Sequence, residues 1–218
     1  MKRTLRAGIR MCLGVTIAVC LAVCLAPSTP AQPPMLRIGA VPIDSLKTLA
    51  WVSLAADPAG DTLQQRLPDA KELSYAIDPA SGVLWFRMQL HAPAPERWFG
   101  INVAFDDDEI PDNGIAWWGS NPAKFDRLAS AYLFKAHDDW QGYFGVADSA
   151  SVARDLGSQT RAIKVAVDPQ ARAILLGVPR SALGAKQTVR VMATVGSMVA
   201  NNDDVPNEGM ISIRLAGE

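Results

Sequence analysis

Alternation of apolar and other residues with a period of two is the feature that most constrains this chain. Leu84, Phe86, Met88 and Leu90, for example, are separated by Trp85 and polar residues. Successive side chains of a β-strand point to opposite faces, so the pattern predicts strands with one buried face. The same alternation occurs in the segments 73–77, 84–90, 99–105, 163–167, 189–195 and 211–215.

In three further runs, apolar residues occur at positions that point to both faces of a strand. These runs predict strands covered on both faces, and they are 128–135, 140–146 and 172–178. Turn-forming residues such as those of 78–82 separate the strands. Pro179 before 180–183 and Gly184 after it predict a single helical turn. Without a βαβ rhythm or an internal repeat, the pattern indicates an all-β fold, an antiparallel jelly-roll β-sandwich of about nine or ten strands.

The first 31 residues have the layout of a secretory signal peptide. Four basic residues precede an apolar run over 11–26, and small residues lead to a cleavage point after Ala31. The run is short for a membrane span, so no span is expected after cleavage, with an uncleaved anchor as the alternative. Cys12, Cys20 and Cys24 all lie in this leader, so the remaining chain has no thiol. We therefore expect a periplasmic or secreted protein.

Behind the leader, the sequence divides into a Pro-rich lead-in over 32–48 and one β-sandwich domain over 49–218. The whole chain has a net charge of −1, and losing the four cations of the leader takes it to about −5. An acidic chain of this kind does not fit a nucleic-acid-binding protein. The 49% of hydrophobic residues likewise excludes an intrinsically disordered chain.

Acidic residues cluster at 57–69, 106–113 and 201–204, the last of which we place in a loop between two late strands. Calcium needs six to eight oxygen ligands on a loop that can wrap around it. These clusters predict a calcium site, although their spacing does not match an EF-hand, and a solubilising loop is the alternative. The candidate ligands are Asp57, Asp61, Asp106, Asp108, Asp112 and Asn113.

A dense aromatic and polar stretch surrounds Trp117 and Trp118. Sugar rings stack their C–H faces on indole, and Asn121, Asp126 and Arg127 offer groups that bind hydroxyls. If the stretch is extended, the two tryptophans point to opposite sides, so only one can face a ligand. Asp126 and Arg127 then also face apart. The alternative is that the stretch plugs one end of the sandwich.

A second polar surface is predicted on the strand 84–90. Trp85, Arg87 and Gln89 share one face of it, and Asn102 has the equivalent position on the next strand. Together they would form a concave, glycan-binding face. The alternative is an outer face covered by a loop, with Trp85 packed beneath it.

No catalytic signature is present in the sequence. Gly-X-Ser-X-Gly, HExxH and P-loop motifs are missing, and His91 and His137 lie far apart. Acidic residues are plentiful, but no pair is singled out for glycoside hydrolysis. We therefore expect a protein that is not an enzyme.

Several of these motifs together resemble the family 9 carbohydrate-binding modules and their DOMON-like relatives. They are the acidic opening 57–61 with Asp69, the strand 84–88 and the strand 101–106. The resemblance extends over about 49–215 and implies a jelly-roll sandwich that binds its ligand unchanged, commonly with structural calcium. It implies that Asp57 and Asp61 belong to a structural or calcium-binding loop. It also implies sugar stacking by Trp85 or by the segment 117–118.

These observations favour an exported, non-catalytic β-sandwich that binds carbohydrate, meaning a glycan, or a related polar ligand, with calcium as its metal. Two alternatives remain open. One is a protein–protein interaction domain of a cell-envelope complex, which would bind envelope proteins rather than a small ligand. The other is a stand-alone hydrolase that uses the acidic loops.

Overall fold

The alternating segments form antiparallel sheets in a computed structural model of the chain, which describes residues 36–37, 42–148, 163–183, 187–197 and 201–215. The predicted leader, 1–31, lies outside the described residues. The strands are β1 (Leu36–Arg37), β2 (Val52–Ala56), β3 (Ala70–Ile77), β4 (Val83–Leu90), β5 (Phe99–Asp106), β6 (Ile115–Ala116), β7 (Lys124–Phe125), β8 (Arg127–Ala136), β9 (Asp139–Asp148), β10 (Lys164–Asp168), β11 (Ala173–Pro179), β12 (Thr188–Gly196), β13 (Asn201–Val205) and β14 (Ile211–Arg214).

Two main sheets contain most of these strands. The seven-stranded sheet has the order β1-β9-β8-β5-β12-β13, and β14 also pairs with β12. The five-stranded sheet has the order β10-β11-β4-β3-β2, and β6 and β7 form a separate two-stranded hairpin. All of these pairings are antiparallel. The predicted all-β, antiparallel class is confirmed, whereas the jelly-roll assignment stays a prediction.

Every one of the nine predicted strand segments coincides with a strand, and the predicted helical turn is a 3-10 helix over Arg180–Leu183. The sequence patterns missed five strands, β1, β2, β6, β7 and β13, and the short helix α1. The acidic run at 201–204 is part of strand β13 and not a loop. The lead-in contains β1 and a short helix, α1 (Ile43–Lys47), and an additional strand, β2, precedes β3.

The apolar faces of the two sheets pack against each other. Phe86 and Met88 of β4 meet Ile101 and Phe105 of β5 in one buried cluster. The rings of Phe86 and Phe105 lie edge to face, with centroids 5.5 Å apart. Because β4 belongs to one sheet and β5 to the other, this cluster is the interior of a β-sandwich.

The outer face of the five-stranded sheet is also covered. Trp85 is only 2% exposed and packs with Leu46 of α1 and Leu175 of β11. Its ring lies across Gly177, its partner on β11, where a Cβ atom would come within 2.9 Å of the indole. Helix α1 and the glycine together make Trp85 a packing residue.

The outer face of the seven-stranded sheet has a smaller apolar cluster of its own. The β6–β7 hairpin and the segment between its strands place Trp117 and Phe125 on Ala104, Leu128 and Met192. This hairpin and the segment between its strands therefore pack onto the outer face of the sheet. Among the described residues, no helix has the length and apolar character required to cross a membrane.

We expect Trp85→Ala to lower the free energy of unfolding by about 3–5 kcal/mol, because it leaves a cavity beneath α1. Chemical denaturation measures this loss. Trp118→Ala is the matched control, since 45% of that residue is exposed, and its loss should be about 0.5–1.5 kcal/mol. Equal losses in the two variants would contradict a packing role for Trp85.

Candidate functional site

Four aspartates converge at one place in the fold, and we call them the four-aspartate cluster: Asp57, Asp61, Asp69 and Asp203. Each offers a carboxylate oxygen, and these oxygens all lie within 4.8 Å of one another. Asp57 and Asp203 are buried, whereas Asp61 is exposed. This arrangement could hold a metal ion.

The cluster forms where the edges of the two sheets meet. Asp57 follows β2, the edge strand of the five-stranded sheet, and Asp203 lies on β13 at an edge of the seven-stranded sheet. Backbone groups hold both of these residues in position. The amide of Asp57 donates to the carbonyl of Lys71 at 2.8 Å, and the amide of Ala70 donates to Oδ2 of Asp203 at 2.6 Å.

Hydrogen bonds satisfy only part of the cluster. The side-chain amide of Asn207 donates to Oδ1 of Asp57 at 3.2 Å and to Oδ2 of Asp61 at 3.3 Å. The amide of Gly60 donates to Oδ2 of Asp69 at 3.1 Å. Oδ2 of Asp57 and Oδ1 of Asp69 are buried without a hydrogen-bond partner. Buried polar atoms of this kind are rare, and a bound cation is one of their ordinary explanations.

The crowding of these carboxylates changes their acidity. Burial, followed by the charges of Asp203, Asp61 and Asp69, raises the pKa of Asp57 from 3.8 to about 7. Burial also raises the pKa of Asp203 to about 6, against the lowering effect of the Ala70 amide. The ion pairs found among the described residues include none of the four aspartates. Without a bound cation, the cluster therefore favours taking up protons.

A second acidic cluster contains Asp106, Asp108 and Asp126, again with oxygens within 4.8 Å of one another. Its carboxylates already have ion-pair and hydrogen-bond partners within the protein. Arg190 forms an ion pair with Asp106, whose other oxygen accepts from the amide of Glu109 at 2.7 Å. Asp126 accepts from a backbone amide at 3.0 Å, and burial raises its pKa. An internal cation already offsets the most buried carboxylate here, so this cluster fits a metal less well.

The predicted metal ligands are thus divided between the two clusters. Asp57 and Asp61 come together in one, and Asp106 and Asp108 in the other. Asp112 and Asn113 belong to neither. The carbonyl of Asp112 accepts from Lys124, and the side-chain amide of Asn113 donates to Asp108 at 2.6 Å.

Sequence reasoning did not assign Asp69 or Asp203 as ligands, although both lie in acidic stretches that it noted. Asp69 lies eight residues beyond Asp61 and joins it only because the chain turns back into β3. Asp203 comes from the far end of the chain. The period-two pattern that places Asp203 and Val205 on one face of β13 was the available signal.

The aromatic stretch forms a stacked pair. The rings of Trp117 and Trp118 lie 4.6 Å apart at an interplanar angle of 22°, and both contact Phe125 edge to face. The expectation that they point to opposite sides was made for an extended stretch, and it does not apply here, because β6 ends at Ala116 and the two rings stack on each other. Trp117 is 6% exposed and Trp118 is 45% exposed, so only Trp118 can offer a face to a ligand.

Asp204 holds this aromatic loop in place. Its Oδ1 accepts from the indole Nε1 of Trp117 at 3.1 Å, and its Oδ2 accepts from the amides of Ser120 and Asn121, each at 3.1 Å. Gly119 is needed for the close approach, since a Cβ atom there would lie 2.5 Å from Oδ2 of Asp204. Asn121 is buried and bonds four backbone groups within the protein, so its role is structural.

The predicted concave face of Trp85, Arg87, Gln89 and Asn102 does not exist. Strands β4 and β5 are in different sheets, so Asn102 lies on the opposite outer face of the sandwich. There its Oδ1 accepts from the hydroxyl of Tyr132 at 3.3 Å. For Trp85 the alternative of a covered outer face is correct, since the residue is packed beneath α1. The guanidinium of Arg87 lies 4.6 Å above the ring of Trp51 and donates to Oγ of Ser74.

Asp126 and Arg127 both engage Asp107. Arg127 forms an ion pair with the carboxylate of Asp107, whereas Asp126 accepts from its backbone amide. These internal contacts stabilise the loop after β5. They leave Trp118 as the predicted ligand-binding residue with the most exposed surface in this region.

The raised pKa values lead to a prediction about pH. Between pH 3.8 and about 7 the folded state binds more protons at Asp57 than the unfolded chain, so metal-free stability should fall as pH rises. Asp57→Asn removes this loss and should exceed the wild type by about 2–4 kcal/mol above that range. Chemical denaturation of calcium-depleted protein at a series of pH values measures the difference. A constant difference would contradict the prediction.

Comparisons of the chain with protein-family models, with curated proteins and with solved structures find no match. The resemblance to family 9 carbohydrate-binding modules consequently stays an interpretation of short residue patterns. Two separate features of the described residues point to a function: the four-aspartate cluster, and the exposed face of Trp118 on the aromatic loop.

Proposed function

We propose that this protein is a non-catalytic β-sandwich that binds calcium in the four-aspartate cluster and carbohydrate on the exposed face of Trp118. The observation that carries the proposal is the pair of buried oxygens without partners, Oδ2 of Asp57 and Oδ1 of Asp69. The proposal keeps the jelly-roll topology, and the periplasmic or secreted location that the leader predicts.

The composition of the cluster favours calcium over other metals. All four side chains are carboxylates, and hard oxygen ligands suit calcium, whereas zinc and copper prefer nitrogen or sulfur. Four carboxylates have eight oxygens in total, which is enough for the six to eight oxygen ligands that calcium takes. Asp61 and Asp69 lie in a loop and can adjust, as the flexible geometry of calcium requires.

Calcium in this position would act as a cross-link between the sheets. Its ligands come from the region around β2 and β3 in one sheet and from β13 in the other. The hydrogen bond between Ala70 and Asp203 already joins residues 133 positions apart, and an ion would reinforce it. Bound calcium would also replace the mutual repulsion of the carboxylates with attraction. The metal therefore has a structural role in this proposal.

A thermal melt in a chelator and then in calcium tests this role. At a calcium concentration about 100-fold above Kd, we expect about 2.7 kcal/mol of added stability, or roughly 5–10 °C in Tm. Asp57→Asn should raise the metal-free Tm, because it removes repulsion, and should abolish the calcium shift. Asp108→Asn, in the second cluster, is the matched control and should keep the shift. An unchanged wild-type Tm would refute the proposal.

The carbohydrate part of the proposal depends on how Trp118 is held. Its ring rests on buried Trp117, which the carboxylate of Asp204 fixes in turn. A sugar stacking on the free face would therefore meet a surface that is already ordered, which lowers the entropic cost of binding. Ser120 is exposed two residues away; its hydroxyl donates to Oδ2 of Asp204 at 3.2 Å, so it can offer a sugar only its acceptor lone pairs.

Trp118→Ala tests this surface on a glycan array. We expect at least about a tenfold loss of binding, corresponding to about 1.4 kcal/mol, together with an unchanged circular dichroism spectrum. Trp98→Ala is the control, because Trp98 is also partly exposed and lies on another ring, Phe134, at 4.4 Å. Equal losses in both variants, or full binding by Trp118→Ala, would show that Trp118 is not the sugar-binding residue.

A further inference from the structure

A pocket of about 400 Å³ opens at one end of the five-stranded sheet, away from the aromatic loop. It lies between the start of β3, the end of β4 and the turn from β10 to β11. Its polar lining includes Lys71, Gln89, His91, Gln170 and Arg172. No carboxylate is among its described lining residues, although the chain as a whole is acidic.

The two cations of the pocket are placed by two departures from regular backbone. Lys71 is an extra residue in β3, since Ala70 pairs with Leu90 and Glu72 pairs with Gln89. Such a bulge re-aims side chains and is common next to functional sites. Arg172 has a φ of 52°, in the left-handed region that a non-glycine residue adopts at a cost of about 1–2 kcal/mol. Two separate irregularities thus bring positive charge to one cavity.

Arg172 is also held by a specific contact. Its Nη1 donates to the carbonyl of His91 at 3.0 Å, which uses one of its five donors and fixes the guanidinium beside the pocket. The amide of His91 donates to the carbonyl of Asp69, and its ring lies 3.2 Å from the carbonyl of Asp57. Through His91, the pocket wall therefore borders the four-aspartate cluster.

We propose that this pocket binds an oxyanion group, a carboxylate or a phosphate, on a small polar ligand such as an acidic sugar. An ammonium, a fixed guanidinium and two side-chain amides supply charge-assisted and neutral hydrogen bonds to such a group. The volume lies within the range of ordinary small-molecule sites. This site is separate from Trp118 and needs neither the calcium nor the sugar-stacking part of the proposed function.

Calorimetric titration of the full chain tests the proposal with three matched probes: glucuronate, glucose 6-phosphate and glucose. At least one anionic sugar should bind, and about tenfold or more tightly than glucose, with an affinity that falls as salt is added. Comparing glucuronate with glucose 6-phosphate shows whether a carboxylate or a phosphate is the preferred group. Each titration is run both in calcium and in chelator. A failure of the calcium proposal can then be distinguished from a failure of the oxyanion proposal.

Two variants locate the binding. Lys71→Gln and Arg172→Asn should each weaken the anionic sugar about tenfold, since each removes one charged hydrogen-bond donor. Asparagine is chosen because it tolerates the left-handed backbone. Lys164→Gln and Arg214→Gln remove the same charge at exposed positions outside the pocket and should bind as the wild type does.

Three results would overturn the proposal: equal affinity for glucose and both anionic sugars, undiminished binding by Lys71→Gln, or equal weakening in the control variants. Circular dichroism melts accompany each variant. If Arg172→Asn does not fold, the comparison of Lys71→Gln with Lys164→Gln decides the question alone.

Discussion

Repulsion among four aspartate carboxylates at the meeting edges of the two sheets is the constraint on which much of this structure depends. The amide of Ala70 donates to Asp203, and the carbonyl of Lys71 accepts from the amide of Asp57, so these two buried carboxylates are held close together. Burial raises the pKa of Asp57 to about 7, and the charges of Asp203, Asp61 and Asp69 add to that effect. Protons or a bound cation therefore stabilise this edge, where electrostatics acts beside the hydrophobic burial that holds the two sheets together.

Strand β13 links this edge to the aromatic loop. Its side chains alternate, so Asp203 points into the four-aspartate cluster while Asp204 accepts the hydrogen bonds that shape the loop around Trp117. Thr194, opposite Asp204 on β12, adds a hydrogen bond to the carbonyl of Asp203 and steadies the strand between them. Two adjacent acidic residues thereby serve different sites.

The sequence allowed nine of the fourteen described strands to be predicted, because each of these buries an apolar face and that requirement is local and periodic. It did not allow strand neighbours to be predicted, because sheet membership depends on long-range packing. Consecutive strands β4 and β5 lie in different sheets, which separates Arg87 from Asn102. Asp203 was missed as a ligand for the same reason. The stacking of Trp117 and Trp118 depends on Asp204, and no pattern within the aromatic stretch itself encodes that contact.

The two acidic clusters show why a group of aspartates does not by itself indicate a metal site. Both bring carboxylate oxygens within 4.8 Å of one another, so proximity does not separate them. In the second cluster Arg190 neutralises Asp106, and Arg127 pairs with the adjacent Asp107. In the first, the partners are neutral amides and, between Asp57 and Asp203, a second carboxyl group. No arginine or lysine pairs with this cluster among the ion pairs of the described residues, and two buried oxygens accept no hydrogen bond from a protein N–H or O–H group. A carboxylate that already has an arginine gains little from a cation, whereas a buried carboxylate without a partner gains much, because its desolvation is otherwise uncompensated. Whether a metal fits therefore depends on which carboxylate oxygens already have a partner. The unpartnered oxygens of Asp57 and Asp69 make the first cluster the better candidate for a metal site.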